Sequence, residues 1–403
     1  ERNHTLGSTL ISMYTKCGAF PQAHQVFEEL PIRDIVAWNA LISGYAQQGQ
    51  GQEALKCFEM MLNEGLLPDS ITFICILKAC GMTSALDKGI EIHGEIAIKG
   101  LLRGNIVLGN ALIDMYAKCS VLEKAQQVLD ELSIRNVVSW STLIIGYTQH
   151  GRAEEALNCF KEMEEKDGIR PNEVTLSCVL KACGILGSLG KAKQIHEGII
   201  DKRLLGGDKV LGNALVDMYA KCGALHKAQA VFDALPFPDV VSWSSLLGGY
   251  AQHGLAEEAL NCLQELQKNG FTPTITIFLS LLSMFSHSGL LEEGINFFEN
   301  MSKIYDFVPN IEHYACMVDL LARAGCLIEA IMMVKKLPYS GYPPIWDILM
   351  GACQKWGNVD IGRVAFEYAL ELDNSNTEAY VSMANIYAAS DMPDDRKSHR
   401  GYD

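Results

Sequence analysis

The chain has 403 residues, of which 49% are hydrophobic and 20% are charged, and its net charge at pH 7 is −15. This composition supplies enough apolar material for buried cores and excludes a wholly disordered chain. The sequence has no run of 18 apolar residues, so no membrane span is predicted. The negative net charge argues at face value against nucleic acid as a partner.

Self-similarity is the main organising feature of the sequence. Trp38, Trp140 and Trp243 are each followed by a small polar residue and are separated by 102 and 103 residues. Gly, Pro and Asx residues divide each long period into three units of 35 or 36, 36 and 31 residues. The whole chain is therefore predicted to be a repeat array.

Each unit has the pattern of two helices. In unit 137–172, Trp140 to Gln149 is predicted as an apolar first helix that ends at Gly151, and Arg152 to Lys166 as an amphipathic second helix. A helical hairpin cannot bury its apolar stripe alone, so neighbouring hairpins must stack. The sequence predicts an all-α fold, an α-solenoid superhelix with first helices on its concave face, which we call the groove.

Two sets of motifs carry a family resemblance. Asn110-Ala-Leu-Ile-Asp-Met-Tyr-Ala-Lys-Cys119 with its near copy Asn213 to Cys222, and Val138-Ser-Trp-Ser-Thr-Leu-Ile144, resemble the pentatricopeptide repeat family. The alternation of unit lengths is similar to its plant PLS subclass, which is built from P, L and S repeats.

The resemblance assigns the units in chain order. They are S-type 4–34, P-type 35–69, L-type 70–105, S-type 106–136, P-type 137–172, L-type 173–208, S-type 209–239, P-type 240–274, L-type 275–310 and S-type 311–342. Residues 343–403 resemble the E-type extension, and the stretch from Leu370 to Ala389 is also similar to tetratricopeptide repeats. We expect both ends of the chain to be truncated or divergent.

The family reads one RNA base per repeat with the fifth and last residues of each unit. Carried over, the pairs are Ser8 with Asp34 for G, Asn39 with Asp69 for U, Asn110 with Asn136 for C or U, Ser141 with Asn172 for A, Ser177 with Asp208 for G in an L-type unit, Asn213 with Asp239 for U, and Ser244 with Thr274 for a purine. Ile74, Leu279 and Ala315 cannot form hydrogen bonds at the fifth position. The implied single-stranded RNA is roughly 5′-G-U-N-Y-A-N-U-R.

Two further sets of positions have alternative interpretations. Asn, Ser and Asp near helix starts also act as helix caps, although the alternation of Asn with Ser favours base reading. In the family's mode the second residues wedge between bases, whereas in isolation they would be assigned to the core; they are Val36, Val107, Val138, Val210 and Val241.

Four cations share one position near the end of a first helix, and we call them the groove cations: Lys16, Lys118, Lys221 and Arg323. The resemblance implies phosphate contact, and complementation of the helix dipole explains them equally well. Trp140 to Gln149 carries no charge, whereas five glutamates lie in the following helix. The groove is thus predicted to be neutral to basic within an acidic chain.

The sequence shows no catalytic signature. His93-Gly-Glu95 matches half of a zinc deaminase motif, but no Cys-x-x-Cys accompanies it, and His93 returns as His196 in the repeat framework. Cys17, Cys119 and Cys222 share a repeat position and are interpreted as packed, reduced thiols. We predict no enzymatic activity, metal or cofactor.

The resemblance implies a sequence-specific single-stranded RNA-binding protein of mitochondria or chloroplasts, with its transit peptide outside this chain. Its expected role is to position a cytidine for C-to-U editing by a deaminase that binds through the C-terminal extension or is missing from this chain. A protein-binding helical scaffold is the alternative. It would explain the acidic charge but not the alternation of Asn with Ser.

Overall fold

The computed structural model describes residues 2–201, 209–337, 342–374 and 376–390, with side chains described from residue 6 onward except that of Asp201. All regular secondary structure in these ranges is helical. The chain forms two compact units, a first unit Glu1–Ala214 and a second unit Leu215–Asp403, each of which contains several of the short repeat units.

The first unit contains twelve complete helices within its described part. They are α1 (Arg2–Lys16), α2 (Phe20–Glu28), α3 (Ile35–Gln47), α4 (Gly51–Asn63), α5 (Ser70–Thr83), α6 (Leu86–Ile98), α7 (Ile106–Lys118), α8 (Leu122–Glu131), α9 (Val137–Gln149), α10 (Ala153–Glu165), α11 (Glu173–Leu186) and α12 (Leu189–Asp201).

The boundary between the units falls inside α13 (Lys209–Lys221). The described helices that follow are α14 (Leu225–Asp233), α15 (Val240–Gln252), α16 (Ala256–Lys268), α17 (Ile275–Ser288), α18 (Leu291–Lys303), α19 (Ile311–Arg323), α20 (Leu327–Lys335), α21 (Pro343–Trp356), α22 (Val359–Leu372) and α23 (Thr377–Ser390).

Local sequence determines where the helices begin and end. Asn136 caps α9, accepting a hydrogen bond from the Ser139 backbone N–H at 3.0 Å. The helix therefore starts three residues before the predicted Trp140, because the cap precedes the apolar run. The turn after α9 needs a left-handed residue, and Gly151 supplies it with φ of +73°. The predicted end of this helix is confirmed.

Consecutive first helices from α1 to α11 pack against each other in the first unit, and each second helix from α2 to α10 packs against its own first helix and the next one. In the described part of that unit, no second helix packs against another. Close packing needs small residues, and a Cβ on Gly146 of α9 would lie 2.7 Å from the Ala117 Cβ of α7. Ala54 and Ala156 are fully buried, as their predicted packing role requires.

The second unit follows the same scheme, except that the second helices α20 and α22 also contact each other. The first helices α15, α17, α19, α21 and α23 pack in succession, and Ala259 of α16 is fully buried. One hydrophobic core continues from α19 and α20 into α21 to α23, where Trp346 stacks on Tyr368 with ring centroids 4.6 Å apart. These stacked hairpins confirm the predicted α-solenoid class. Residues 391–403 lie outside the described part of the chain.

Candidate nucleic-acid interface

Charge is distributed unequally between the two helices of the hairpins. The ten first helices from α1 to α19 carry five acidic and eight basic residues. The ten second helices from α2 to α20 carry 24 acidic and ten basic residues. The acidity of the chain is therefore concentrated on the second helices, whereas the first helices, counted with the preceding residues Asp34, Asp69 and Asp239, carry almost no net charge.

Among the described residues, the first-helix face of each compact unit contains a cleft. In the first unit, a cleft of about 810 Å³ between α1, α3 and α5 is lined by Ser8, Lys16, Val36 and Asn39, among others. In the second unit, a cleft of about 660 Å³ is lined by residues of α13, α15 and α17, including Lys221 and Ser244. The first cleft thus brings together candidates for base reading, base wedging and phosphate contact.

The predicted last residues of the units are helix caps. Their side chains accept from the backbone N–H two or three residues later, at 2.8–3.4 Å; the residues are Asp34, Asp69, Asn136, Asn172, Asp239 and Thr274. The capping interpretation is therefore correct for these six residues. Asp208 lies outside the described residues. In each Asp and Asn cap these backbone bonds use Oδ1, so capping does not by itself exclude a role in base reading.

One predicted pair is bonded directly. The Asn39 side-chain amide donates from Nδ2 to Asp69 Oδ1 at 3.1 Å, and the single hydroxyl proton of Thr72 is shared between Asn39 Oδ1 at 2.7 Å and Asp69 Oδ1 at 2.9 Å. Burial would raise the pKa of Asp69, but hydrogen bonds from the Thr72 backbone, the Thr72 hydroxyl and Asn39 outweigh it and lower that pKa below its ordinary value. The Asp69 carboxylate therefore stays ionised at neutral pH.

A second pair is connected through an intermediate residue. The hydroxyl oxygens of Ser141 and Thr175 lie 2.6 Å apart, and Thr175 Oγ1 also lies 2.7 Å from Asn172 Oδ1. Ser141 and Asn172 therefore contact the same side chain. This threonine follows the last residue of the unit by three positions, just as Thr72 follows Asp69.

In two other predicted pairs, the fifth residue is not bonded to the last residue. Asn110 Oδ1 is buried without a hydrogen-bond partner, while Asn136 Oδ1 accepts from the Ser139 hydroxyl at 3.1 Å. The Ser244 hydroxyl donates to the Val240 carbonyl at 2.6 Å, and Thr274 bonds Thr276. The fifth and last residues are therefore connected, directly or through a threonine, in units 35–69 and 137–172 but not in units 106–136 and 240–274.

The fifth residues differ in accessibility. Ser8, Asn39 and Ser141 are 8%, 7% and 5% exposed, whereas Asn110, Ser177, Asn213 and Ser244 are half-buried. For Asn39 and Ser141 the cause is visible, because their polar atoms bond side chains of the following first helix. The polar groups of Asn39 and Ser141 are therefore held between consecutive first helices, beneath the exposed surface of the first-helix face.

The second residues, by contrast, are exposed. The relative exposures are 56% for Val36, 62% for Val107, 49% for Val138, 63% for Val210 and 54% for Val241. The interpretation of these valines as core residues is wrong. Ile71 and Val174 hold the same position in units 70–105 and 173–208 and are also more than half exposed. Sequence reasoning missed this pair, although the unit boundaries alone would have identified them.

The groove cations all lie in the last turn of a first helix, where they complement the helix dipole. Three of them form ion pairs with the aspartate four residues earlier: Lys118 with Asp114 at 2.7 Å, Lys221 with Asp217 at 2.8 Å and Arg323 with Asp319 at 2.8 Å. Lys16 has Ser12 at that place. Exposed pairs of this kind are weak, so a phosphate can compete for the cation.

The thirteen cysteines are free thiols. Cys17 is exposed, and Cys119 and Cys222 are partly exposed, so the interpretation of this position as fully packed is wrong for Cys17. The position lies at the end of the first helix, where the chain turns. No cluster of three metal-ligating side chains occurs among the described residues. His93 Nδ1 lies 2.9 Å from the Tyr116 hydroxyl, within the repeat framework.

None of the described helices is both long and apolar enough to cross a membrane.

Comparison with known proteins identifies the repeat. A profile described as PPR repeat family matches residues 33–82 and 135–184. The PPR repeat profile matches residues 8–35, 110–137, 213–236, 241–271, 276–304 and 312–342.

Two relatives from Arabidopsis thaliana are similar along almost the whole chain. A mitochondrial pentatricopeptide repeat-containing protein is 37% identical over 392 residues, covering 97% of this chain and 70% of its own length. The chloroplastic pentatricopeptide repeat-containing protein CRR2 is 40% identical over 413 residues, covering all of this chain and 62% of its own length. The organellar location predicted for this family is confirmed by these names.

Solved structures show the same fold. Maize PPR10 matches with a TM-score of 0.62 at 18% identity, covering 95% of this chain and 64% of PPR10. PPR10 in complex with an 18-nt PSAJ RNA element matches with a TM-score of 0.71 at 16% identity, covering 95% and 61%. Together with the profile matches and the relatives, the stacked helical hairpins show that the chain belongs to the pentatricopeptide repeat family.

Proposed function

We propose that this protein binds single-stranded RNA sequence-specifically in a plant organelle, one base per repeat. The observation that carries the proposal is the hydrogen bond from Asn39, which lines a cleft of the first-helix face, to Asp69. An amide and an ionised carboxylate held together offer one donor-acceptor pattern to one base edge. The PPR10 structure with bound RNA supports RNA as the ligand class.

The exposed second residues supply the other half of a base site. Val36 lies three residues before Asn39, and Ile71 holds the same position in the next unit; their exposures are 56% and 58%. Apolar side chains on either side of a polar pair can hold an unstacked base between them. Duplex RNA should bind poorly, because pairing hides the base edges that the polar pair would read.

We further propose that the chain is of the PLS subclass and acts as a specificity factor for C-to-U editing. The alternation of 35, 36 and 31 residues supports the subclass. Residues 343–403 would correspond to the E-type extension and would recruit a deaminase supplied by another protein or by sequence outside this chain. The described helices of this segment, α21 to α23, share a hydrophobic core with α19 and α20 of the array.

One observation favours a second candidate function, a helical scaffold for proteins. The excess of acidic residues on the second helices could bind a basic protein surface. The two functions predict different responses to ribonuclease in a pulldown: a protein scaffold keeps its partners, whereas an RNA-binding protein loses those that depend on RNA.

Direct binding tests the main proposal. At moderate salt, the purified chain should bind single-stranded 5′-G-U-N-Y-A-N-U-R more tightly than a scrambled RNA of equal composition, and more tightly than the same sequence in a duplex. A variant with Glu154→Ala, on a second helix, should bind as the unmodified chain does. Equal affinity for the ordered and scrambled RNAs would remove the proposal.

A further inference from the structure

Two serines at the fifth position provide a matched comparison within the chain. Ser141 and Ser244 each donate to the carbonyl four residues earlier, Val137 or Val240, at 2.6 Å. They differ in the third residue of the following unit. Ser141 faces the hydroxyl of Thr175 at 2.6 Å, whereas the equivalent residue after Ser244 is Ile277, which has no hydroxyl.

Two asparagines at the fifth position repeat this contrast. The Asn39 amide is bonded on both sides, from Nδ2 to Asp69 and from the Thr72 hydroxyl to Oδ1. The Oδ1 atom of Asn110 is buried without a partner. The third residue of the following unit is Ser139, and its hydroxyl donates to Asn136 Oδ1 instead.

The residue at this third position is buried in all four cases. Thr72, Ser139 and Thr175 are fully buried, and Ile277 is 1% exposed. The position therefore tolerates both a polar and an apolar side chain at the same depth. Its role in capping is also separate from the bond to the fifth residue, because Ser139 completes a capping box with Asn136 without bonding Asn110.

A buried hydroxyl that contacts both reading residues fixes their orientation. Thr72 Oγ1 lies 2.7 Å from Asn39 Oδ1 and 2.9 Å from Asp69 Oδ1. An asparagine amide can exchange its oxygen and nitrogen by rotating, and each orientation offers a base a different pattern of donor and acceptor. A bonded network makes one orientation dominant, and a base with the opposite pattern is then rejected more strongly.

We propose that Thr72 and Thr175 are positioning residues that sharpen the base discrimination of the units before them, 35–69 and 137–172. Units 106–136 and 240–274, which are followed by Ser139 and Ile277, discriminate between bases less strongly. This inference rests on the proposed function, namely that fifth and last residues read RNA bases. The threonines touch the reading residues and not the RNA.

Three substitutions test the inference. Thr72→Val removes the hydroxyl at nearly constant shape, Thr72→Ser restores it, and Ile277→Thr introduces one after Ser244. For each protein, dissociation constants are measured with four RNAs that differ only at the base assigned to the adjacent unit. Thermal melting of each variant shows whether it is folded.

Thr72→Val should reduce the preference for U at the base assigned to unit 35–69 by about fivefold, roughly the factor that one hydrogen bond is worth. The preference at the base assigned to unit 137–172 should stay unchanged, and Thr72→Ser should keep the original preference. Ile277→Thr should increase the preference for a purine at the base assigned to unit 240–274.

A purely structural threonine would lower the melting temperature and weaken all four RNAs equally, and that result would overturn the inference. Loss of the preference in Thr72→Ser as well would overturn the role of the hydroxyl. If Thr72→Val is folded and keeps its preference while the unmodified chain prefers U, the inference fails and the proposed function stands. If the unmodified chain shows no preference at this base, both fail.

Discussion

Substitution of Asn39 by serine should recode unit 35–69. The change keeps a short polar side chain beside Thr72, because Ser141 contacts Thr175 at the equivalent place at 2.6 Å. It removes the bond from Asn39 Nδ2 to Asp69, and a hydrogen bond to a charged group contributes about 1.5–3 kcal/mol. The free energy of unfolding should therefore fall by about 2 kcal/mol.

The effect on RNA should be of similar size and specific to one base. A serine with Asp69 is expected to read G, as is expected of Ser8 with Asp34, so the preference at this base should change from U to G. A good base-edge contact in DNA discriminates by about 1–3 kcal/mol, which is roughly 5- to 150-fold in the dissociation constant.

The assay is competition binding with four RNAs that differ at this one base, alongside circular dichroism of the variant. Preferences at the neighbouring bases serve as the internal control, because each unit contributes its own pair. A folded variant with an unaltered preference would mean that Asn39 only stabilises the cap formed by Asp69.

Four further predictions concern charge, packing, pH and metal. Alanine at all four groove cations should flatten the slope of log affinity against log salt by about 3, at roughly 0.7 per phosphate contact, whereas an unchanged slope with a lower melting temperature would favour the helix-dipole role. Gly146→Ala should destabilise by about 1–3 kcal/mol because its Cβ would lie 2.7 Å from Ala117, while Gly94→Ala, with no atom within 4 Å, should not destabilise; equal melting temperatures would refute this packing argument. Burial lowers the pKa of His313, so the folded state binds the proton more weakly, and stability should fall as pH drops below about 6.5; His313→Thr should remove that part of the dependence in denaturant titrations between pH 7 and 5. The purified chain should bind no stoichiometric zinc and deaminate no cytidine alone, and one zinc per chain by metal analysis would overturn this.

Local signals made the end of α9 predictable, although its start was predicted three residues too late. Gly151 ends α9 in the structure as the sequence implied, because a left-handed turn residue acts within its own hairpin. Asn136 was identified as the last residue of a unit, and the structure shows that it is also the cap of the next helix. Both properties depend on residues that are close together along the chain.

Contacts between units were not predictable in the same way. Thr72 bonds Asn39 across 33 residues, and Thr175 contacts Ser141 across 34. These contacts depend on how closely consecutive first helices approach each other, which the sequence pattern does not give. For the same reason the burial of Asn39 and the exposure of Cys17 appeared only in the structure.

The central claim is that this chain reads RNA bases in a fixed order. The most direct measurement is selection of single-stranded RNA from a random pool by the purified chain, followed by sequencing of the bound fraction. The enriched motif should be close to G-U-N-Y-A-N-U-R, with its strongest positions at the U of unit 35–69 and the A of unit 137–172. A bound pool without an enriched motif, or one whose motif lacks this U and A, would contradict the account.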